Sequence, residues 1–164
     1  MDGAPIVTAP RWRLDLHALD GGRTQKQIEC AVDENTHGHA VDRWRIDRRL
    51  QLKQVDLATE NLDEALEMVK EFTAKKEAKS IALLGNAAEV HWQILEKGII
   101  PDAVTDQTSA HDVLYGYIPA GLSVEEAADL RQTNQTEYKR RAMDSIERHV
   151  RAMLEFQRHG AIVF

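Results

Sequence analysis

Only one cysteine, Cys30, occurs in the 164 residues. A lone thiol excludes an internal disulfide framework and fits a reducing, cytosolic setting. Long apolar runs are missing too: none approaches the roughly 20 residues a membrane helix requires. Nor does the N-terminus show the charged-then-apolar pattern of a secretory leader. Positive charge is in deficit, with 21 Lys and Arg against 27 Asp and Glu and a net charge of -6. That balance argues against nucleic acid or any other polyanion as a partner. Metal-ligand spacing is also absent. His37 and His39 stand as a pair with no third ligand placed to join them, so they read as solvated histidines. Gly21-Gly22 before Arg23 reads as a plain turn and not as a phosphate loop. What remains is ordinary for one soluble domain with a real core: 43% hydrophobic and 29% charged residues.

The stretch richest in chemistry is 103–122, AVTDQTSAHDVLYGYIPAGL. Ala103-Val104-Thr105 reads as a short apolar strand ending at Asp106. Gln107, Thr108, Ser109, His111 and Asp112 then crowd hydrogen-bonding side chains together, followed by Tyr115, Tyr117 and the Pro119-Ala120-Gly121 turn. Solvated loops are more often built from Gly, Ser, Asn and Lys, so this composition points to a binding site. Ser109, His111 and Asp112 supply the letters of a hydrolytic triad. Residues so close in sequence do not converge as nucleophile, base and orienter, and a hydrolase is disfavoured.

The flanking pattern predicts an α/β chain. Asn61 and Glu64 have capping-box spacing ahead of an amphipathic helix with Leu62, Ala65, Leu66, Val69 and Phe72 on its core face. Ser80 to Leu84 reads as a buried parallel strand running into Gly85. Asn86 to Glu89 opens a second helix, stopped by Gly98 with Pro101 close behind. Ser123 with Glu126 caps a helix over 124–130. Asn134 with Glu137 opens a long one with stripe Tyr138, Ala142, Ile146, Val150 and Met153. His91 and Trp92 are expected at a helix surface or interface, and His149 in a structural place. Ala161 to Phe164 reads as a strand that ends abruptly, as an interrupted chain would. Two strands joined by a helix make a right-handed unit whose ligands sit beyond the carboxyl ends of the strands. Gly85-Asn86 and Asp106-Gln107 both fall at such ends. Residues 1–40 show two prolines, no sustained helical period and only a short alternation at 12–16.

TDQTSAHD followed by YGYIPAG resembles the urocanases, the NAD-dependent urocanate hydratases of histidine breakdown. VDRWRIDRRL, ENLDEALEMV, SIALLGNAAEV and HVRAMLEFQRHGAIVF extend the resemblance over 41–164, while 1–40 does not share it. The resemblance implies a Rossmann-like parallel sheet flanked by helices, incomplete, with a long C-terminal helix before a last strand. It implies NAD contacts at Arg45, Asn86, Ala87, Gln107, Thr108, Ser109, Ala110, His111, Tyr117 and Ile118. Arg48 and Arg49 read as a solvated face.

Two departures stand out. The family's glycine-rich dinucleotide loop is not found, and Ala40 stands where the family has a glutamate that reaches the cofactor. Cys30 does not replace the catalytic-region cysteine of urocanases, so no catalytic residue is assigned in this chain. The resemblance implies that the full-length enzyme is a cytoplasmic, homodimeric hydro-lyase acting on urocanate, and that this chain alone is inactive because the substrate domain and that cysteine are missing; no membrane or metal partner is expected. The alternative is a truncated, non-catalytic nucleotide-binding module. A purely helical scaffold would leave the 103–122 loop unexplained.

Overall fold

A computed structural model describes the backbone of residues 12–15, 26–31, 43–106 and 112–164, with side chains from Ile46 onward. Six strands, β1 (Trp12–Asp15), β2 (Lys26–Ala31), β3 (Leu57–Thr59), β4 (Ser80–Leu84), β5 (Ala103–Thr105) and β6 (Ile162–Val163), form one sheet. Their order is β3-β4-β2-β1-β5-β6, and every pairing is parallel. Helices α1 (Arg43–Gln51), α2 (Leu62–Lys75), α3 (Ala87–Glu96), α4 (Val124–Thr133) and α5 (Gln135–Arg158) connect them. The architecture is the Rossmann-like α/β fold that the sequence implies. Two strands of the sheet interior, β1 and β2, come from the first forty residues, and of these only the alternation at 12–16 was visible in sequence.

Strand order and crossover handedness together decide which helix lies on which face. The β2-to-β3 connection runs one way along the sheet, whereas those from β3 onward run the other. Right-handed crossovers then place α1 on one face and α2, α3 and α5 on the opposite face. The packing agrees. Ile81 and Leu83 of β4 join Ala65, Leu66, Val90, Ile94 and Phe156, from the three helices of the second face. Ala82 and Leu84 join Ile46, Leu50 and Val55 beside α1. Covered on both sides, β4 is apolar without alternation, as SIALL shows.

Capping accounts for the helix starts, with two differences from expectation. Ser123 and Glu126 make the full reciprocal box at α4. At α2 the Asn61 side chain accepts from the Asp63 and Glu64 amides, but the Glu64 carboxylate accepts from the Thr59 hydroxyl instead of returning to the cap. The predicted box is therefore only half formed. At α3, Asn86 accepts from the Ala88 amide at 3.0 Å, and Glu89 turns elsewhere.

The buried stripe of α5 also differs. Expected were Ile146 and Val150, but the closed face is Tyr138, Ala142, Ser145, His149, Ala152 and Phe156, and Val150 is 45% exposed. Stepping always by four residues drifts around a helix of 3.6 residues per turn, whereas alternating steps of four and three hold one face. His91 is likewise interior, at 0% exposure, and not at a surface.

Candidate functional site

Parallel sheets bind ligands where neighbouring strands send their connections in opposite directions. Here that point lies between β1 and β5, whose last residues, Asp15 and Thr105, are paired. From β1 the chain moves to β2, and from β5 it moves to β6 on the other side. Gln107, Thr108, Ser109, Ala110 and His111 follow β5 directly in sequence and lie outside the described residues.

Beyond them the chain makes a tight turn. The Asp112 carboxylate accepts from the Leu114 and Tyr115 amides at 3.0 and 3.1 Å, so it is committed to local backbone and not to a triad. The next segment, 117–121, has neither helix nor strand and crosses back to the start of α3. There the Asn86 side-chain amide donates to the Ile118 carbonyl at 2.9 Å. The Glu89 carboxylate, freed from capping duty, accepts from the Gly121 amide at 3.1 Å. Asn86, Ala87, Tyr117 and Ile118 are thus brought together from two parts of the chain. Arg45 lies in α1, and its side chain is outside the described set. Its neighbours Ile46 and Asp47 line a cavity of about 450 Å³ at the carboxyl ends of β3 and β4, with Leu84 and Glu60 also on its wall.

Burial decides how these positions can act. Ala87 is 0% and Tyr117 1% exposed, so neither side chain can meet a ligand, and what each offers is backbone. The Tyr117 ring instead enters a closed polar cluster. Its hydroxyl lies 3.4 Å from His149 Nδ1, and the His149 and His91 rings meet edge-on with centroids 4.9 Å apart. Burial, reinforced by the carboxylates of Asp106 and Glu89, pushes the Tyr117 phenol up from its ordinary range. The phenol therefore stays protonated, and the tautomer of His149 decides which of the two groups donates. Burial also holds His91 well below the usual histidine range, with His149 adding to the effect. It lowers His149 as well, against a small opposing pull from Asp106. Three ring nitrogens, both of His91 and Nε2 of His149, have no hydrogen-bond partner. The Thr105 hydroxyl at the end of β5 is buried and unpartnered too.

Gly85 shapes the turn between β4 and Asn86. A Cβ there would stand 2.8 Å from Val90 Cγ2, and Val90, β-branched on a helix, has little freedom to turn away. Gly85→Ala is expected to cost about 1–3 kcal/mol in a urea titration. A change under a few tenths would mean that α3 shifts freely on β4.

Four residues that position this region carried no local signal of that role: Glu89, Tyr138, Ser145 and His149. The last three are polar residues on the closed face of α5, a pattern that could have marked them. No helix among the described residues is long and apolar enough to cross a membrane, and no cluster of three metal-ligating side chains occurs among them. Residues 33–164 match the sequence profile of the urocanase Rossmann-like domain. The match covers most of the chain, includes the β4–α3 turn and the 117–121 segment, and shows that this protein belongs to the urocanase family.

Proposed function

We propose that the chain is the NAD-binding domain of a urocanate hydratase. The observation that carries this reading is the junction of Asn86 with Ile118. It gathers four of the positions that the family likeness assigns to NAD at the carboxyl rim of a parallel sheet. The donor set suits a dinucleotide. The N-terminus of α3 presents the positive end of a helix dipole, and Gly85 keeps the turn before it free of a Cβ. Backbone at Tyr117 and Ile118 supplies fixed polar groups beside it. On the α1 side, the carboxylates of Asp47 and Glu60 face the cavity near Arg45 and would accept hydroxyl donors such as a ribose presents. When bound, NAD would supply the electrophilic ring needed to hydrate urocanate to imidazolonepropionate. The residues of this chain bind and orient, and we assign them no proton transfer.

Calorimetric titration of the purified chain with NAD tests the proposal. Saturable binding is expected, weakened about tenfold in Asn86→Ala because the Ile118 carbonyl loses its donor and the α3 cap is removed together. A folded chain that takes up no NAD, or an Asn86→Ala variant with undiminished affinity, would overturn it.

A further inference from the structure

The segment 117–121 has an unusual support. It belongs to no helix or strand, yet four of its backbone polar groups are held in place, each by a side chain from α3 or α5. The Tyr117 carbonyl accepts from the Tyr138 hydroxyl at 2.9 Å, and the Ile118 carbonyl from Asn86 at 2.9 Å. The Ala120 amide donates to the Ser145 hydroxyl at 2.9 Å, and the Gly121 amide to Glu89 at 3.1 Å. Pro119, between them, has no amide hydrogen to satisfy.

The two supports from α5 are themselves fixed. Tyr138 accepts from the Arg131 guanidinium at 2.7 Å while donating to Tyr117, so its single proton has one destination. Ser145 spends its proton on the Arg141 carbonyl at 2.8 Å, which leaves only a lone pair for the Ala120 amide. His149 completes the row, with Nδ1 3.4 Å from the Tyr117 hydroxyl. Tyr138, Ser145 and His149 are 0%, 5% and 1% exposed, so none can touch a bound molecule. Polar groups in a buried interface cost stability unless they are paired, and apolar residues of similar size would pack there without that liability. Each of the three reaches the same segment, the one that carries the family-assigned positions Tyr117 and Ile118.

We infer that Tyr138 and Ser145, supported by His149, are positioning residues that hold the backbone of 117–121 in its ligand-receiving geometry. This inference rests on the NAD-binding reading given above. A segment fixed before the ligand arrives avoids the ordering cost on binding, and that cost reappears when a support is removed.

The test compares the complete chain with Tyr138→Phe and Ser145→Ala, each of which keeps the packing volume nearly constant. NAD affinity is expected to fall about tenfold in each, with faster amide hydrogen exchange at Ala120 and Gly121. Val69→Ala is the control. It trims a partly buried side chain of α2 from the main hydrophobic core, lines no part of the cavity near α1, and has no bond to 117–121. It is expected to lower the melting temperature by at least as much and to leave NAD affinity unchanged. Undiminished affinity in Tyr138→Phe and Ser145→Ala would overturn the inference. So would an equal loss in Val69→Ala, which would reduce the effect to general stability. If the unmutated chain binds no NAD, the functional reading fails and the inference with it. If it binds and the α5 variants bind equally well, only the inference fails.

Discussion

Acidification is expected to unfold this protein well above the pH at which its surface carboxylates titrate. His91 and His149 are buried, and burial depresses both in the folded state relative to the value of 6.5 taken for an exposed histidine. Above about pH 6.5 neither the folded nor the unfolded chain protonates them appreciably, and their contribution to stability is constant. Below it the unfolded chain takes up protons that the folded core refuses, so stability falls as pH falls. Two such sites give a limiting slope of about 2.7 kcal/mol per pH unit, reached when both are charged only in the unfolded chain. The charged groups that act on the pair, Asp106 on His149 and His149 on His91, do not remove the effect. Thermal melts between pH 7.5 and 5 should show a steadily falling midpoint, and His91→Leu should make the fall shallower. A flat profile over that range would mean that protons reach the pair without opening the core.

Replacing Phe156 by alanine is expected to cost about 3–5 kcal/mol. Domains of this size commonly hold only 5–15 kcal/mol in total, so the variant would be close to unfolding. Phe156 is 0% exposed, packs edge-on to His91 with centroids 5.6 Å apart, and joins α5 to the sheet residues Val104, Ile81 and Leu83. Val150→Ala on the same helix is the matched comparison. At 45% exposure it should change the denaturant midpoint by less than about 0.5 kcal/mol. Equal losses in the two would return the core face of α5 to the straight four-residue stripe, and a cost near 1 kcal/mol for Phe156→Ala would mean that the interface repacks.

Local rules carried much of the fold into view. Strands β4 and β5, helices α2 to α5 and the caps at Asn61, Asn86, Ser123 and Asn134 could all be read because each depends on residues within one turn or one strand. The carboxyl rim was legible for the same reason, since Gly85-Asn86 and Asp106 mark strand ends. Strand β3 was not, because Leu57-Ala58-Thr59 is too short to show a period. Strand β2 was not, because the alternation Gln27-Ile28-Glu29-Cys30 spans only four residues and is broken by Lys26 and Ala31 at its ends. The partners of Glu89, Ser145 and His149 lie 25 to 32 residues away, beyond the reach of any periodicity. His91 looked like a surface residue because a neutral imidazole in an apolar interior has no distinctive sequence neighbour. The positions assigned to a ligand came from likeness to a family. That the side chains of Ala87 and Tyr117 are closed off was not legible, because burial is a property of the assembled fold.

The strand order has a consequence for how the chain is made. β1 and β2 leave the ribosome before the other strands of the sheet, but each needs a neighbour that is synthesised much later: β2 pairs with β4, and Arg13 of β1 with Ala103 of β5. The centre of the sheet therefore closes late, after α3 has been made and β5 has appeared. Until β4 appears β1 and β2 can pair only with each other, and β1 keeps an open edge until β5 follows. Sheets closed by such distant pairings fold slowly and leave edges exposed to other chains in the meantime. These two strands are made before their partners and are thus among the last to become safe from aggregation, and chaperone demand in this domain should be greatest while the α3–β5 region is still emerging.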